Sequence, residues 1–380
     1  MCENKQQQNK IIYFFISIFL YFFKSVFISL ELPEDLIGGV SNIINALILA
    51  ILSPVILLSN KKQCAFIIFL IILFVYNAIF YNNIYMFGFI IISCMLILSN
   101  EIYWRDIIRY LSLAHFLVVL FIIPLVFFAE KYSFIDDRFG VRYTFGFHNP
   151  NTFSQYLISL YVVFLLLFVE VIKKKSLQFL TVIILTLFIY GVISLTGSRT
   201  GMILTIITGF GFLACTLSKT NDKKRRKFVY LYILGAGVLC FVQYYLVLTF
   251  NHSEFSKTIN TILSGRIWFS SQLTSQLWPV PYFHGVNIND YLPIDFFYVA
   301  YFYNLGIFIG SWFIYLFIRK MFVQTYTPVM VIVLWLSLAI TVTENYYAIP
   351  LYNISLFIVF SSRYVINENE NSCTYPSSQK

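Results

Sequence analysis

Apolar residues run along this chain in about a dozen blocks of roughly 16 to 23 residues, separated by short polar breaks. A hydrocarbon layer about 30 Å thick needs roughly 20 helical residues to cross it. The blocks place spans near 11–30, 36–58, 64–81, 84–99, 107–129, 152–172, 176–195, 201–217, 228–250, 297–318, 325–343 and 346–362. The fold expected is all-α: a polytopic transmembrane helical bundle of about twelve spans forming a single integral membrane domain over 1–380, with one larger extracytoplasmic loop. No polar stretch exceeds about 45 residues, so no soluble domain with its own core is expected.

Composition strengthens this picture. Of 380 residues, 59% are hydrophobic, 20% aromatic and 11% charged, whereas soluble domains carry about 25% charged residues. A net charge of +9 would point to nucleic acid in a soluble chain. With the amino terminus inside, however, nineteen of the 26 Lys and Arg fall in inner segments, including Lys173–Lys175 and Lys223–Lys227. Six fall outside, Lys131, Arg138, Arg142, Arg199, Lys257 and Arg266, while Lys24 lies in the first span. The positive-inside rule then gives a multi-pass membrane protein with both termini, and the tail 364–380, on the inner side. The basic excess orients the chain in the bilayer, and no nucleic-acid partner is expected. The first span lacks small residues placed for cleavage and is expected to stay as an anchor. The six cysteines offer no outer disulfide and no CxxC zinc pair.

Polar groups near a bilayer without a topogenic reason mark function, and three outer segments gather them. The loop 130–151 holds Asp136, Asp137, Arg138, Arg142 and His148 before a span that Asn151 or Thr152 can cap. Two guanidiniums beside a helix amino terminus suit an oxyanion; the competing reading pairs them with the aspartates on a solvated loop. The turn 196–201 frames Ser198 and Arg199 with two glycines, either as an anion nest or as a turn with a snorkelling arginine. The loop 251–296 carries His252, Arg266, His284 and Asp295. Glu344, in a short turn between apolar helices, needs a cation such as Arg142, Arg199 or Arg266. His115, inside a span, reads as a packing residue. An anionic headgroup with an apolar tail, such as a prenyl pyrophosphate bearing sugar, matches arginines at the edge of a bilayer.

The run Arg142-Tyr-Thr-Phe-Gly-Phe-His148-Asn149-Pro150-Asn151 resembles the sequence that opens a span in bacterial O-antigen and capsular polysaccharide polymerases of the Wzy type, which are related to O-antigen ligases. Also similar are Thr196-Gly197-Ser198-Arg199-Thr200-Gly201, Gly265-Arg266 with Trp268, and Asp295 and Tyr298 ahead of Asn304-Leu305-Gly306 and Gly310, with the Glu344 to Asn353 ending. The likeness covers about residue 138 onward; Trp-Pro-Val-Pro-Tyr-Phe before His284 and Phe296 after Asp295 depart from the usual pattern. The resemblance implies a glycosyltransferase joining undecaprenyl-pyrophosphate-linked repeat units into capsule, exopolysaccharide or O-antigen, with a flippase and a chain-length regulator as partners. On that basis Arg138, Arg142, Arg199, Arg266, Asn151, Ser198 and Asp295 are expected to bind substrate. His284 or Glu344 would act as base, with His148 in support. No outer Asp-x-Asp pair is present, so neither a metal nor a cofactor is expected. A ligase would use much the same site, and a flippase would need cations within the spans. A non-enzymatic membrane scaffold is the remaining class.

Overall fold

The computed structural model describes residues 2–136, 140–217, 226–342, 344–345 and 348–362. Arg138, Asp137 and the tail 364–380 lie outside the described residues. Nine helices answer the first nine predicted spans: α1 (Cys2–Phe27), α2 (Glu34–Leu58), α3 (Lys61–Tyr81), α4 (Tyr85–Ser99), α5 (Trp104–Val126), α6 (Pro150–Val171), α7 (Lys175–Thr196), α8 (Arg199–Leu217) and α9 (Arg226–Leu248). Local chemistry sets several ends. Asn60 and Gln63 form a reciprocal capping box at the start of α3. Asn149 caps α6 ahead of Pro150, so the cap sits two residues earlier than Asn151. Gly197, at φ +65°, ends α7. All of these helices except the 15-residue α4 are long and apolar enough to cross a bilayer.

Past residue 250 the expected spans break up. The loop 251–296 forms α10 (Glu254–Ile262) and α11 (Arg266–Leu277) with a single 3-10 turn at Asn289–Tyr291. The predicted span 297–318 is two helices, α12 (Phe297–Leu305) and α13 (Ile307–Val323), meeting at 117°. α14 (Pro328–Ile340) has only 13 residues, and within the last predicted span the helix is α15 (Ser355–Phe360). Eight helices among the described residues meet the length and hydropathy of a span, or nine if the bent pair is one crossing, in place of the twelve expected. A two-stranded hairpin, β1 (Ser133–Asp136) with β2 (Gly140–Tyr143), pairs Phe134 with Arg142 in the 130–151 loop and is the one sheet among the described residues.

The bend has a physical cause. Gly306, at φ +81°, takes a backbone conformation closed to other residues in a helix, and the segment 281–286 supplies the hydrogen bonds that the break removes. Ile307 and Phe308 donate their N–H groups to the carbonyls of Pro281 and Tyr282 at 2.9 Å each, and Val286 N–H reaches Tyr303 O at 2.8 Å. Asn83 donates to the Asn304 carbonyl at 3.0 Å, and Asn77 accepts from Gly285 N–H at 2.8 Å. The Tyr303 and Asn304 carbonyls of one helix end and the Ile307 and Phe308 N–H groups of the other are thereby paired. A Cβ on Gly285 would lie 1.8 Å from the Asn304 carbonyl oxygen. Gly285→Ala is therefore expected to cost more than about 3 kcal/mol by overpacking, read as loss of a monodisperse peak on detergent extraction.

One large apolar core runs through the bundle from Phe14 and Ile18 of α1 to Phe357 of α15. A second cluster joins Ile267, Leu273, Val280, Ile288 and Ile294 to Leu246 of α9 and to Val299 and Tyr303 of α12. The long loop thus builds a small core, but only by borrowing the helices on either side.

Candidate functional site

Three connections meet at one end of the bundle. Arg142, on β2, is buried with 8% of its surface exposed. Its Nε donates to the Thr196 carbonyl at 2.8 Å, one terminal nitrogen to Asn151 Oδ1 at 3.0 Å, and the other to Asp136 Oδ2 at 3.2 Å. The Thr196 carbonyl is an orphan of the α7 carboxyl end, so Arg142 welds the hairpin to α7 and to the first turn of α6. The pairing with Asp136 realises the expected alternative for this arginine, in a buried setting rather than on a solvated loop. Gly197 packs on the same guanidinium: a Cβ there would stand 3.1 Å from Arg142 Nε.

Ser198 caps α8, its Oγ accepting from Gly201 N–H at 3.3 Å, while Thr196 Oγ1 bonds Ser154 Oγ at 2.7 Å. These bonds fix the turn and leave Arg199, an exposed residue, projecting from it toward Ser264, whose Oγ it reaches at 3.4 Å. Ser264 and Gly265, at φ +58° and +89°, turn the chain from α10 into α11. Asn260 Oδ1 accepts from both Ile267 and Trp268 N–H at 3.0 Å. That clamp satisfies the open end of α11 and aims Arg266, its first residue.

Arg266 stands before two carboxylates, Glu344 buried and Asp295 half-buried. Both terminal nitrogens donate to Glu344 Oε1, at 3.2 and 3.1 Å, and Nε pairs with Asp295 Oδ2 at 3.4 Å; Glu344 Oε2 takes neither donor. Glu344 is 4% exposed. Burial pushes its carboxyl up from 4.5 to about 7; Arg266 opposes the shift and Asp295 adds to it. Burial also raises Asp295, against Arg266.

Arg142, Arg199 and Arg266 line one cavity of about 680 Å³ with Asp136, Asn151, Ser198, Thr200 and Ser264. Ile135, Ile203 and Ile262 complete its wall and are 81%, 57% and 66% exposed, so the polar floor has an apolar rim. The cavity therefore offers guanidinium donors to an anion and hydrocarbon to whatever the anion is attached to. Asp295 and Glu344 lie behind Arg266 and are not part of the lining.

The two histidines expected to take part stand elsewhere. His284 stacks flat on Tyr81, centroids 3.8 Å apart, beside the α12–α13 break, and burial lowers its pKa. His148 pairs with Glu31 where the chain 29–31 bridges to 146–148. Neither lines the cavity or bonds one of its arginines: His284 is engaged by the Tyr81 ring and His148 by the Glu31 carboxylate. His115 is fully buried between Phe22 and Tyr156. Among the described residues no group of three or more His, Cys, Asp and Glu is placed to hold a metal ion. Asp136 bonds Arg142, Ser264 bonds Arg199, and Asn260 fixes the turn that carries Arg266. Asp136 was weighed in the sequence only as a possible partner, and nothing in the sequence distinguishes Asn260 or Ser264 from ordinary loop residues.

No protein-family model matches the chain, and neither a curated protein nor a solved structure matches it.

Proposed function

We propose that the protein polymerises polyprenyl-pyrophosphate-linked oligosaccharide repeat units on the outer face of a bacterial cytoplasmic membrane. One observation carries the reading: three arginines separated by 57 and 67 positions in the chain line one cavity whose rim is apolar. Guanidiniums match phosphate oxygens in pairs, the isoleucine rim suits a hydrocarbon tail, and a lipid-linked sugar pyrophosphate presents both. The nineteen-to-six division of basic residues supports the outward orientation.

In the reaction, a hydroxyl of one repeat unit attacks the anomeric carbon of the chain held on the lipid pyrophosphate. The bond from that carbon to the phosphate oxygen breaks, its electron pair leaves with the pyrophosphate, and the hydroxyl proton passes to Glu344. Pyrophosphate oxygens draw the terminal nitrogens of Arg266 away from Glu344 Oε1. The carboxylate so bared is a stronger base, so deprotonation is coupled to arrival of the donor. Arg199 stabilises charge developing on the leaving group. Arg142 contributes field and shape, because each of its nitrogens already has a partner in the fold.

Expression in a strain lacking its own polymerase tests the reading. A ladder of chain lengths supports it; single repeats moved onto an acceptor would mean ligation, and inward-facing lipid-linked units would mean transport. Arg199→Ala is expected to lower polymer yield about 100-fold, the loss typical of one transition-state donor, with the extracted protein as stable as wild type because the residue is exposed. An unchanged ladder from Arg199→Glu would remove the pyrophosphate assignment.

A further inference from the structure

Gln243 lies in the apolar helix α9 and is 3% exposed. A buried amide within such a bundle is unfavourable unless both its donor and its acceptor find partners. Here the partners are backbone groups of two other segments. Oε1 accepts from Tyr298 N–H at 3.0 Å, and Nε2 donates to Thr341 O at 2.6 Å. The first is an orphan N–H in the opening turn of α12, and the second an orphan carbonyl at the end of α14.

The two bonds fall at matched places in the chain. Tyr298 stands three residues after Asp295, and Thr341 three residues before Glu344. Arg266 bonds both carboxylates and follows α9 by way of α10. A closed loop results, running from Asp295 through Tyr298, Gln243 and Thr341 to Glu344, and back through Arg266. Resting on the polymerase reading for its use, we infer that Gln243 is a positioning residue, setting the spacing of Asp295 and Glu344 about Arg266 by holding the α12 start and the α14 end on one side chain. An amide suits the task because it donates and accepts at once without charge. An ionised glutamate would only accept, and would add a third carboxylate. Methionine would keep the volume and lose both bonds.

The test is an infrared titration of the Glu344 carboxyl in the full-length protein in detergent, the band being assigned by its loss in Glu344→Gln. Among the described residues the charged groups acting on Glu344 are Arg266 and Asp295, and neither is altered. In Gln243→Met the unpaired N–H and carbonyl recruit water, burial is relieved, and the protonation midpoint is expected to fall by about one pH unit. Gln243→Glu, close to an isostere, is expected to raise it, because a nearby like charge disfavours ionisation. The second variant keeps the test open if the first does not fold. Midpoints equal to wild type in folded Gln243→Met or Gln243→Glu would overturn the inference. The measurement needs no polymer. A protein that makes no ladder but shows both shifts would sink the polymerase reading alone, and a protein that makes the ladder but shows neither shift would sink the positioning role alone.

Discussion

Arg266→Ala is expected to be the most damaging single substitution at the site, in stability and in activity together. The side chain stands between Glu344, 4% exposed, and Asp295. Removing one partner of a buried ion pair typically costs about 3–5 kcal/mol, because the charge left behind has neither water nor counter-charge. Two carboxylates lose their cation here, Glu344 buried and Asp295 half-buried, and protonation relieves them, which on the polymerase proposal removes the base. On the polymerase proposal, polymer yield should fall by at least about 1,000-fold, since donor stabilisation and base activation would be lost in one step. Thermal unfolding in detergent checks the stability part. Adding Glu344→Gln to Arg266→Ala should recover part of the lost stability, because an amide needs no counter-charge, but none of the polymer. Arg266→Lys keeps the charge without the fork and cannot hold both carboxylates at once. It should fall between wild type and alanine in stability and lie close to alanine in activity. An Arg266→Ala protein as stable as wild type would mean that the pairing with Glu344 is not what holds this corner of the molecule.

Much of the bundle was legible because lipid leaves a strong mark on sequence: a helix in hydrocarbon must be apolar over its whole length, and α1 to α9 follow the predicted spans closely. The region past residue 250 was not legible in the same way. Residues 297–318 are as apolar as any span, but Gly306 and the inserted segment 281–286 bend them, and no periodicity announces that a distant loop will supply the missing hydrogen bonds. The site divides similarly. Arg142, Arg199 and Arg266 stood out as cations on the side of the chain where the positive-inside rule disfavours them, and Glu344 as a carboxylate hemmed in by apolar residues; both signals are physical and local. That Arg142 is tied into the fold by Thr196, Asn151 and Asp136 is a matter of tertiary contact. The resemblance offers His284 beside Glu344 as a candidate base, but a ring that can titrate can equally stack on Tyr81. Gln243 sat unremarked in an apolar helix because its partners are backbone groups 55 and 98 residues away.

On the same proposal, the pH dependence of polymerisation should carry the second large effect. With Glu344 as base, the rate requires its ionised form. Burial holds that carboxyl at about 7 in the free protein, so kcat/KM is expected to rise tenfold per pH unit below about 7 and level off above it. On the proposed mechanism Arg266 turns to the pyrophosphate when donor binds and Glu344 loses its stabilising cation, so the limb of kcat should lie at higher pH than that of kcat/KM. Glu344→Gln should lose both limbs with nearly all activity. Stability must move in the opposite direction. Between the ordinary value of 4.5 and about 7 the folded protein holds a proton on Glu344 that the unfolded chain has released. The contribution of this group is therefore full below pH 4.5, declines as pH rises through 7 by about 3 kcal/mol, and is constant beyond. Unfolding of the wild type followed from pH 5 to 8 should show that decline, and Glu344→Gln should flatten it. A wild type whose rate and stability rise together across this range would exclude Glu344 as the base, because a single buried carboxyl raised by desolvation becomes reactive only by ionising, and ionising is what destabilises the fold around it.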